Sequence, residues 1–189
     1  MRKLKTTTLP AAGPITVLLA ENHPGFRKSV KLEIERDGDI VVTGEAKDGC
    51  EAVRLAMTLK PDVIIMDIGM PFLNGLQATR QILEASSTTR VIMLSAYSDE
   101  EYINEALKSG ASGYLVKQSM PEFLAQAVRE VSAGRTYFNE SIPQALRNQC
   151  LKVFSKSQSL KRRAVRLALS SESSPHHGAI NEKHGHCRN

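Results

Sequence analysis

Apolar residues along this chain fall into two alternating kinds of segment. Short, nearly continuous apolar runs occupy residues 15–20, 40–43, 63–66, 91–94 and 113–116. Between them lie longer stretches in which apolar positions recur every three or four residues, the period of a helix with one buried stripe. Five strands alternating with helices point to repeated βα units around a parallel sheet. In three of the runs apolarity is continuous rather than alternating, as expected where helices cover both faces of a sheet.

The helices can be placed from their stripes and their ends. Phe26, Val30, Leu32 and Ile34 mark the first. Ala52, Val53, Leu55, Ala56 and Leu59 mark the second, which stops before Pro61 because a residue preceding proline disfavours the α region. Leu76, Ala78, Ile82 and Leu83 mark the third, after Asn74 and Gly75. Asp99 has the chemistry to cap the fourth, with Tyr102, Ile103, Ala106 and Leu107 inward and Gly110 as its stop. Ser119, Met120, Pro121 and Glu122 open the fifth, which packs Phe123, Leu124, Ala127, Val128 and Val131 and ends at Gly134. The expected fold is α/β, a (βα)5 doubly wound parallel sheet.

Past Pro143 the character changes. Residues 152–166 mix Ser, Gln, Lys and Arg with scattered apolar positions, and residues 170–189 are rich in Ser, His and Gly with almost no apolar content. A flexible, largely disordered tail is expected, with a short amphipathic basic helix over residues 160–169 as the alternative. The domain reading is a basic extension over residues 1–14, one globular unit over 15–138, and a basic tail over 139–189.

Composition excludes several classes. The 189 residues have 41% hydrophobic and 24% charged content, which argues against wholesale disorder. No apolar run approaches the roughly 18 to 20 residues of a membrane span. The apolar run at 15–20 leads straight into Glu21 and Asn22, so export and membrane insertion are not expected. Cys50, Cys150 and Cys187 lack paired or metal-type spacing, which fits a reducing cytoplasm. The net charge of +5 divides unevenly. Three basic and no acidic residues lie in the first 14 positions, eight basic and two acidic in the last 40, and 14 basic against 18 acidic between. The globular unit is acidic and its ends are basic.

In an open α/β sheet the functional crevice lies beyond the carboxyl ends of the strands. There stand Glu21 and Asn22 after the first strand, Asp67 after the third, Ser95 after the fourth and Lys117 after the fifth. Two carboxylates, an amide, a hydroxyl and an ammonium are thus placed to converge. Taken alone, an aspartate ending a strand is most often a turn or cap residue; the whole set is what points to a site. His23 and Pro24 read as the start of a helix rather than as metal ligands.

The motifs around these residues resemble the receiver domain of two-component response regulators. They are Leu-Leu-Ala-Glu21-Asn22-His23-Pro24; Ile-Ile-Met-Asp67-Ile-Gly69-Met70-Pro71 with Leu73-Asn74-Gly75; Val-Ile-Met-Leu-Ser95-Ala96-Tyr97; and Gly110-Ala-Ser-Gly113-Tyr114-Leu-Val-Lys117. The stretch from Lys117-Gln118-Ser119 through Tyr137-Phe138 is most similar to the NarL/FixJ subfamily. The resemblance implies a flavodoxin-like strand order, 2-1-3-4-5. It implies that Asp67 accepts a phosphoryl group from a sensor histidine kinase or phosphotransfer protein. Mg²⁺ would be held by Glu21, Asn22, Asp67 and the backbone carbonyl of Gly69. Lys117 and Ser95 would contact phosphoryl oxygens, and Tyr114, with Tyr97, would follow Ser95 inward and remodel a face of the fourth helix, fifth strand and fifth helix for a partner or a homodimer.

Two departures stand out. The family usually has two acidic residues after the first strand, and here the second is Asn22, which substitutes a neutral oxygen ligand for a charged one and weakens Mg²⁺ binding. Gln118 stands where many receivers have proline. Three functional readings follow. The first is a phospho-acceptor that is not an enzyme beyond taking a phosphoryl group from small donors and losing it again. The second, motivated by Asn22, is a phosphorylation-independent interaction module. The third is a DNA-associated regulator using Lys161, Arg162, Arg163 and Arg166. For the third, the tail lacks the text of a LuxR-type helix-turn-helix, so sequence-specific DNA binding is not expected. His176, His177, His184, His186 and Cys187 could chelate a metal but lack structural-site spacing.

Overall fold

The computed structural model describes residues 13–119, 123–138, 142–144, 147–148 and 151–152. In chain order these form β1 (Ile15–Ala20), α1 (Pro24–Ile34), β2 (Ile40–Ala46), α2 (Gly49–Leu59), β3 (Val63–Asp67), α3 (Gly75–Ala85), β4 (Arg90–Ser95), α4 (Glu100–Lys108), β5 (Gly113–Val116), a single 3₁₀ turn at Lys117–Ser119, α5 (Leu124–Ser132) and β6 (Tyr137–Phe138). The strands lie in the order β2-β1-β3-β4-β5-β6, and every pairing is parallel.

Successive side chains of a strand point to opposite faces, so the sheet feeds two cores. On one face Val17, Leu19, Val63, Ile65, Ile92, Leu94 and Leu115 meet Val30 and Ile34 of α1 and Leu124, Ala127, Val128 and Val131 of α5. On the other, Leu18, Ile64, Met66, Val91, Met93 and Tyr114 meet Ala52 and Ala56 of α2, Ala78 and Ile82 of α3, and Ile103 and Ala106 of α4. This two-sided burial is what made the central runs continuously apolar. The edge strand β2 alternates buried with exposed positions instead.

The five expected strands and their order are observed, with three differences. β2 runs on to Ala46 through a bulge at Thr43, and Leu59 of α2 lies where a Cβ on Gly44 would have to be, at 2.5 Å. β3 and β4 take in Asp67 and Ser95, which therefore end their strands rather than follow them. A sixth strand extends the sheet: Tyr137 pairs with Gly113 and Phe138 with Tyr114. Two residues are too short for a periodic signal, so β6 was not expected.

Two inward assignments also change. Leu32 is 66% exposed, because Phe26, Val30 and Ile34 at four-residue spacing already define the buried stripe of α1 and Leu32 lies across from it. Tyr102 is exposed too, one position round α4 from Ile103, and stacks on Tyr97 instead. Asp99 is the N-cap of α4, but its side chain makes no capping hydrogen bond. Asp48 and Asn74 do cap: their carboxylate and amide oxygens accept from the backbone N–H groups of Glu51 (2.8 Å) and Gln77 (2.9 Å) at the starts of α2 and α3. Expectations resting on Met120, Pro121 and Glu122, on residues 1–12 and on residues 153–189 lie outside the described residues.

Candidate functional site

β1 and β3 are neighbours, and their carboxyl ends bring Glu21 and Asp67 to the same edge of the sheet. Glu21 is fully buried. Its Oε2 accepts a hydrogen bond from Lys117 Nζ at 2.8 Å, and its Oε1 accepts from the backbone N–H of His23 at 3.0 Å and lies 3.1 Å from His23 Nδ1. Lys117 Nζ also lies 3.0 Å from Asp67 Oδ1, so one ammonium bridges two carboxylates. Burial by itself would lower the Lys117 pKa; the hydrogen bonds and charges of Glu21 and Asp67 outweigh it and hold the ammonium above its ordinary value. The ring of Phe26 lies under the same nitrogen, 4.9 Å away.

The backbone around Asp67 is tightly held. A Cβ on Gly75 would sit 2.0 Å from the Asp67 carbonyl oxygen, so the first residue of α3 has to be glycine. Position 69 is open by contrast: the nearest atom to a Cβ there would be Asp67 Oδ2, at 3.9 Å. Asn22 Oδ1 is buried without a hydrogen-bond partner, an unusual state for an amide oxygen and one that a cation or donor would relieve.

A small, hard divalent cation suits these donors in kind. Asp67, Asn22 and Glu21 offer only oxygen, and the orphaned amide oxygen is the observation that points to a missing partner. The charge is low, however. Among the described residues no group of three or more His, Cys, Asp and Glu side chains could hold a metal. An aspartate at position 22 would have supplied the third carboxylate.

Ser95 and Tyr114 lie on adjoining strands and are linked through Tyr97. The Tyr97 backbone N–H donates to Ser95 Oγ at 3.0 Å, and its carbonyl accepts from the Tyr114 hydroxyl at 2.8 Å. Tyr114 is 1% exposed. Burial pushes its phenol up to about 12, against a lowering contribution from the Ser95 hydroxyl. Tyr97 and Tyr102 stand outside, their rings stacked with centroids 4.9 Å apart.

Glu21, Asp67 and Lys117 are thus brought into direct contact, Asn22 borders them, and Ser95 engages Tyr97 rather than the carboxylates. Sequence reasoning missed His23, Phe26 and Arg27. Pro24 does open α1 with His23 as its cap residue, but the cap position also turns the His23 ring back onto Glu21. Arg27 Nη1 donates to the Glu21 carbonyl at 2.6 Å. The spacing of Arg27, one helical turn past the cap residue His23, was the available signal.

A parallel α/β sheet thus carries a buried carboxylate pair and a lysine that converge at its carboxyl edge. The response regulator receiver domain family matches residues 17–129, more than half the chain, and the chain belongs to that family. It is 39% identical over 124 residues to the uncharacterized transcriptional regulatory protein YxjL of Bacillus subtilis (66% of this chain, 57% of that one). It is also 39% identical over 133 residues to the nitrate/nitrite response regulator protein NarL of Escherichia coli K12 (70% and 62%). The chain therefore spans about three fifths of the length of these curated relatives. Among solved structures, the receiver domain of the putative response regulator NarL from Mycobacterium tuberculosis aligns with a TM-score of 0.63 and 32% identity, covering 66% of this chain and 100% of that one. A LuxR-family response regulator from Aurantimonas sp. aligns at 0.68 and 31%, covering 72% and 98%. Among the described residues no helix is long and apolar enough to cross a membrane.

Proposed function

We propose that this chain is a cytoplasmic phospho-acceptor whose Asp67 receives a phosphoryl group from the phosphohistidine of a sensor histidine kinase or phosphotransfer protein. The observation that carries the reading is the Lys117 ammonium, 2.8 Å from Glu21 and 3.0 Å from Asp67 at the carboxyl edge of the sheet. A carboxylate oxygen of Asp67 attacks phosphorus, the P–N bond breaks as the P–O bond forms, and the imidazole leaves with its bonding pair. Lys117 meets the charge arriving on the phosphoryl oxygens. Ser95 hydrogen-bonds one of those oxygens after giving up the Tyr97 N–H, which couples the site to the loop before α4. Glu21, Asn22 Oδ1, Asp67 and the Gly69 carbonyl would hold Mg²⁺, which when bound neutralises phosphoryl charge. The output surface in this reading is α4, β5 and α5, with the stacked Tyr97 and Tyr102 as its exposed aromatic contact for a partner or a second copy. The chain is not otherwise an enzyme. Incubation with acetyl phosphate and Mg²⁺ is expected to give a labelled band that Asp67→Ala abolishes; no Asp67-dependent label from that donor or from any histidine kinase sinks the reading.

A second reading has its own observation. Asn22 stands where the family usually has a second acidic residue, and among the described residues no three His, Cys, Asp or Glu side chains are grouped to hold a metal. This supports an interaction module whose output face is set without phosphate. It predicts partner binding unchanged by Asp67→Ala. Calorimetric Mg²⁺ titration of wild type beside Asn22→Asp separates the two readings. The phospho-acceptor reading expects measurable wild-type binding that the variant strengthens on the order of tenfold or more, a gain of about 1.4 kcal/mol or above. The interaction module expects binding in the variant alone.

A further inference from the structure

Phe72, in the β3–α3 loop five residues past Asp67, is strained and almost wholly exposed, and nothing in the phosphoryl chemistry requires either property. Its φ is +63° and its exposure 91%. The Leu73 N–H donates to the Pro71 carbonyl at 2.8 Å, so Phe72 is the centre of a three-residue turn closed in the left-handed sense, a rare and strained turn for a residue with a side chain. Glycine would relieve the strain, and a polar residue would avoid showing a ring to water. The flanks are fixed. Met70 is buried, and Leu73 packs into the core with its carbonyl 2.0 Å from where a Cβ on Gly49 would lie. Asn74 caps α3, and Gly75 abuts the Asp67 backbone. The loop therefore holds an aromatic ring outward, a few residues past Asp67, with little freedom to fold it away.

We propose that Phe72 selects protein donors, inserting into an apolar recess beside the donor's phosphohistidine and orienting that histidine toward Asp67. The proposal rests on the phospho-acceptor reading above. Asp67 is only 4% exposed, so a macromolecule that delivers a phosphoryl group to it has to lay its surface across the β3–α3 loop, whereas a small acyl phosphate enters without covering the rim. An aromatic side chain already held in place loses little entropy on docking, which is the economy of an interface anchor. Phe72 is a positioning residue: phosphorus passes from the imidazole nitrogen to the Asp67 oxygen as before.

The test compares Phe72→Asn, whose residue tolerates the left-handed turn, and Phe72→Leu, which keeps apolar bulk, with wild type. Each full chain is labelled by acetyl phosphate and by the autophosphorylated histidine kinase that labels wild type fastest in a purified panel. With the kinase, Phe72→Asn is expected to lower kcat/KM about tenfold or more, mainly through KM, and Phe72→Leu to recover most of the loss. With acetyl phosphate, both variants are expected to stay within about twofold of wild type. Equal losses with both donors, no loss with the kinase, or a wild-type chain labelled by acetyl phosphate and by no kinase overturns the proposal. A wild-type chain labelled by neither donor overturns the phospho-acceptor reading, and this inference with it.

Discussion

Glu21 and Lys117 lie 96 residues apart in sequence and 2.8 Å apart in space. A carboxylate buried as completely as Glu21 costs several kcal/mol unless it is paired and hydrogen-bonded, and here it has both the ammonium and the His23 N–H. The residue types and their positions at strand ends were legible from apolar runs that stop at polar side chains. The His23 ring contact and the orphaned Asn22 oxygen were not, because each depends on how the three-residue loop between β1 and α1 turns. Tyr114 gives a prediction at this scale. Its phenol is raised from 10.0 to about 12, so between those values the folded chain keeps a proton that the unfolded chain releases. Stability is expected to fall as pH rises through that window and to have no slope from Tyr114 below it. Lys117, also raised, loses its contribution in the same direction. Urea midpoints measured from about pH 9 to about pH 12 should fall less steeply in Tyr114→Phe; an identical slope would show that burial does not hold the proton.

Among the elements, α3 does most to position the acceptor. Its first residue, Gly75, has no room for a Cβ against the Asp67 carbonyl, and the Gly75 N–H donates to Ile68 O at 3.1 Å, closing the loop over the strand end. Gly75→Ala is expected to push the β3–α3 loop away from β3, cost about 1 to 3 kcal/mol in urea unfolding and slow Asp67 labelling by acetyl phosphate. Unchanged stability with unchanged labelling would mean that the contact is relieved at no cost. Helix periodicity located α1 to α5 but misassigned Leu32 and Tyr102. A stripe read from composition counts every apolar residue, whereas the sheet accepts only those within one narrow arc of the helix surface. Capping by Asp48 and Asn74 and the strain at Phe72 are likewise local, yet they are visible only once the chain has a backbone conformation.

For the whole molecule, the sheet continues past the five-unit pattern. β6 covers the edge of β5, and Ile142, fully buried, joins the core beneath α2, α3 and α4. β6 and Ile142 are thus part of the folded unit. Ile142→Ala is expected to destabilise the chain by about 2 to 4 kcal/mol in urea, as for a buried aliphatic in a close-packed core. A cost below about 1 kcal/mol would show that the segment packs loosely. Opposite the β6 edge, Arg129 of α5 donates to Asp39 at 2.6 and 2.8 Å and to Asp37 at 2.6 Å, tying the loop before β2 to α5.

By itself the sequence determined that the chain is a doubly wound parallel sheet, the succession of its main strands and helices along the chain, and the four strand ends at which chemistry collects. Two-sided burial leaves continuous apolar runs and helix burial leaves a stripe, and both are local patterns. Only the tertiary structure decided which of those strand-end residues touch, that Lys117 is shared between Glu21 and Asp67, that Tyr114 is buried with its hydroxyl on the Tyr97 carbonyl, and that Phe72 is held outward. Those outcomes depend on strand order, on loop conformation and on the absence of a Cβ at Gly49 and Gly75, where one would lie 2.0 Å from a backbone carbonyl oxygen. No periodicity along the chain encodes these distances.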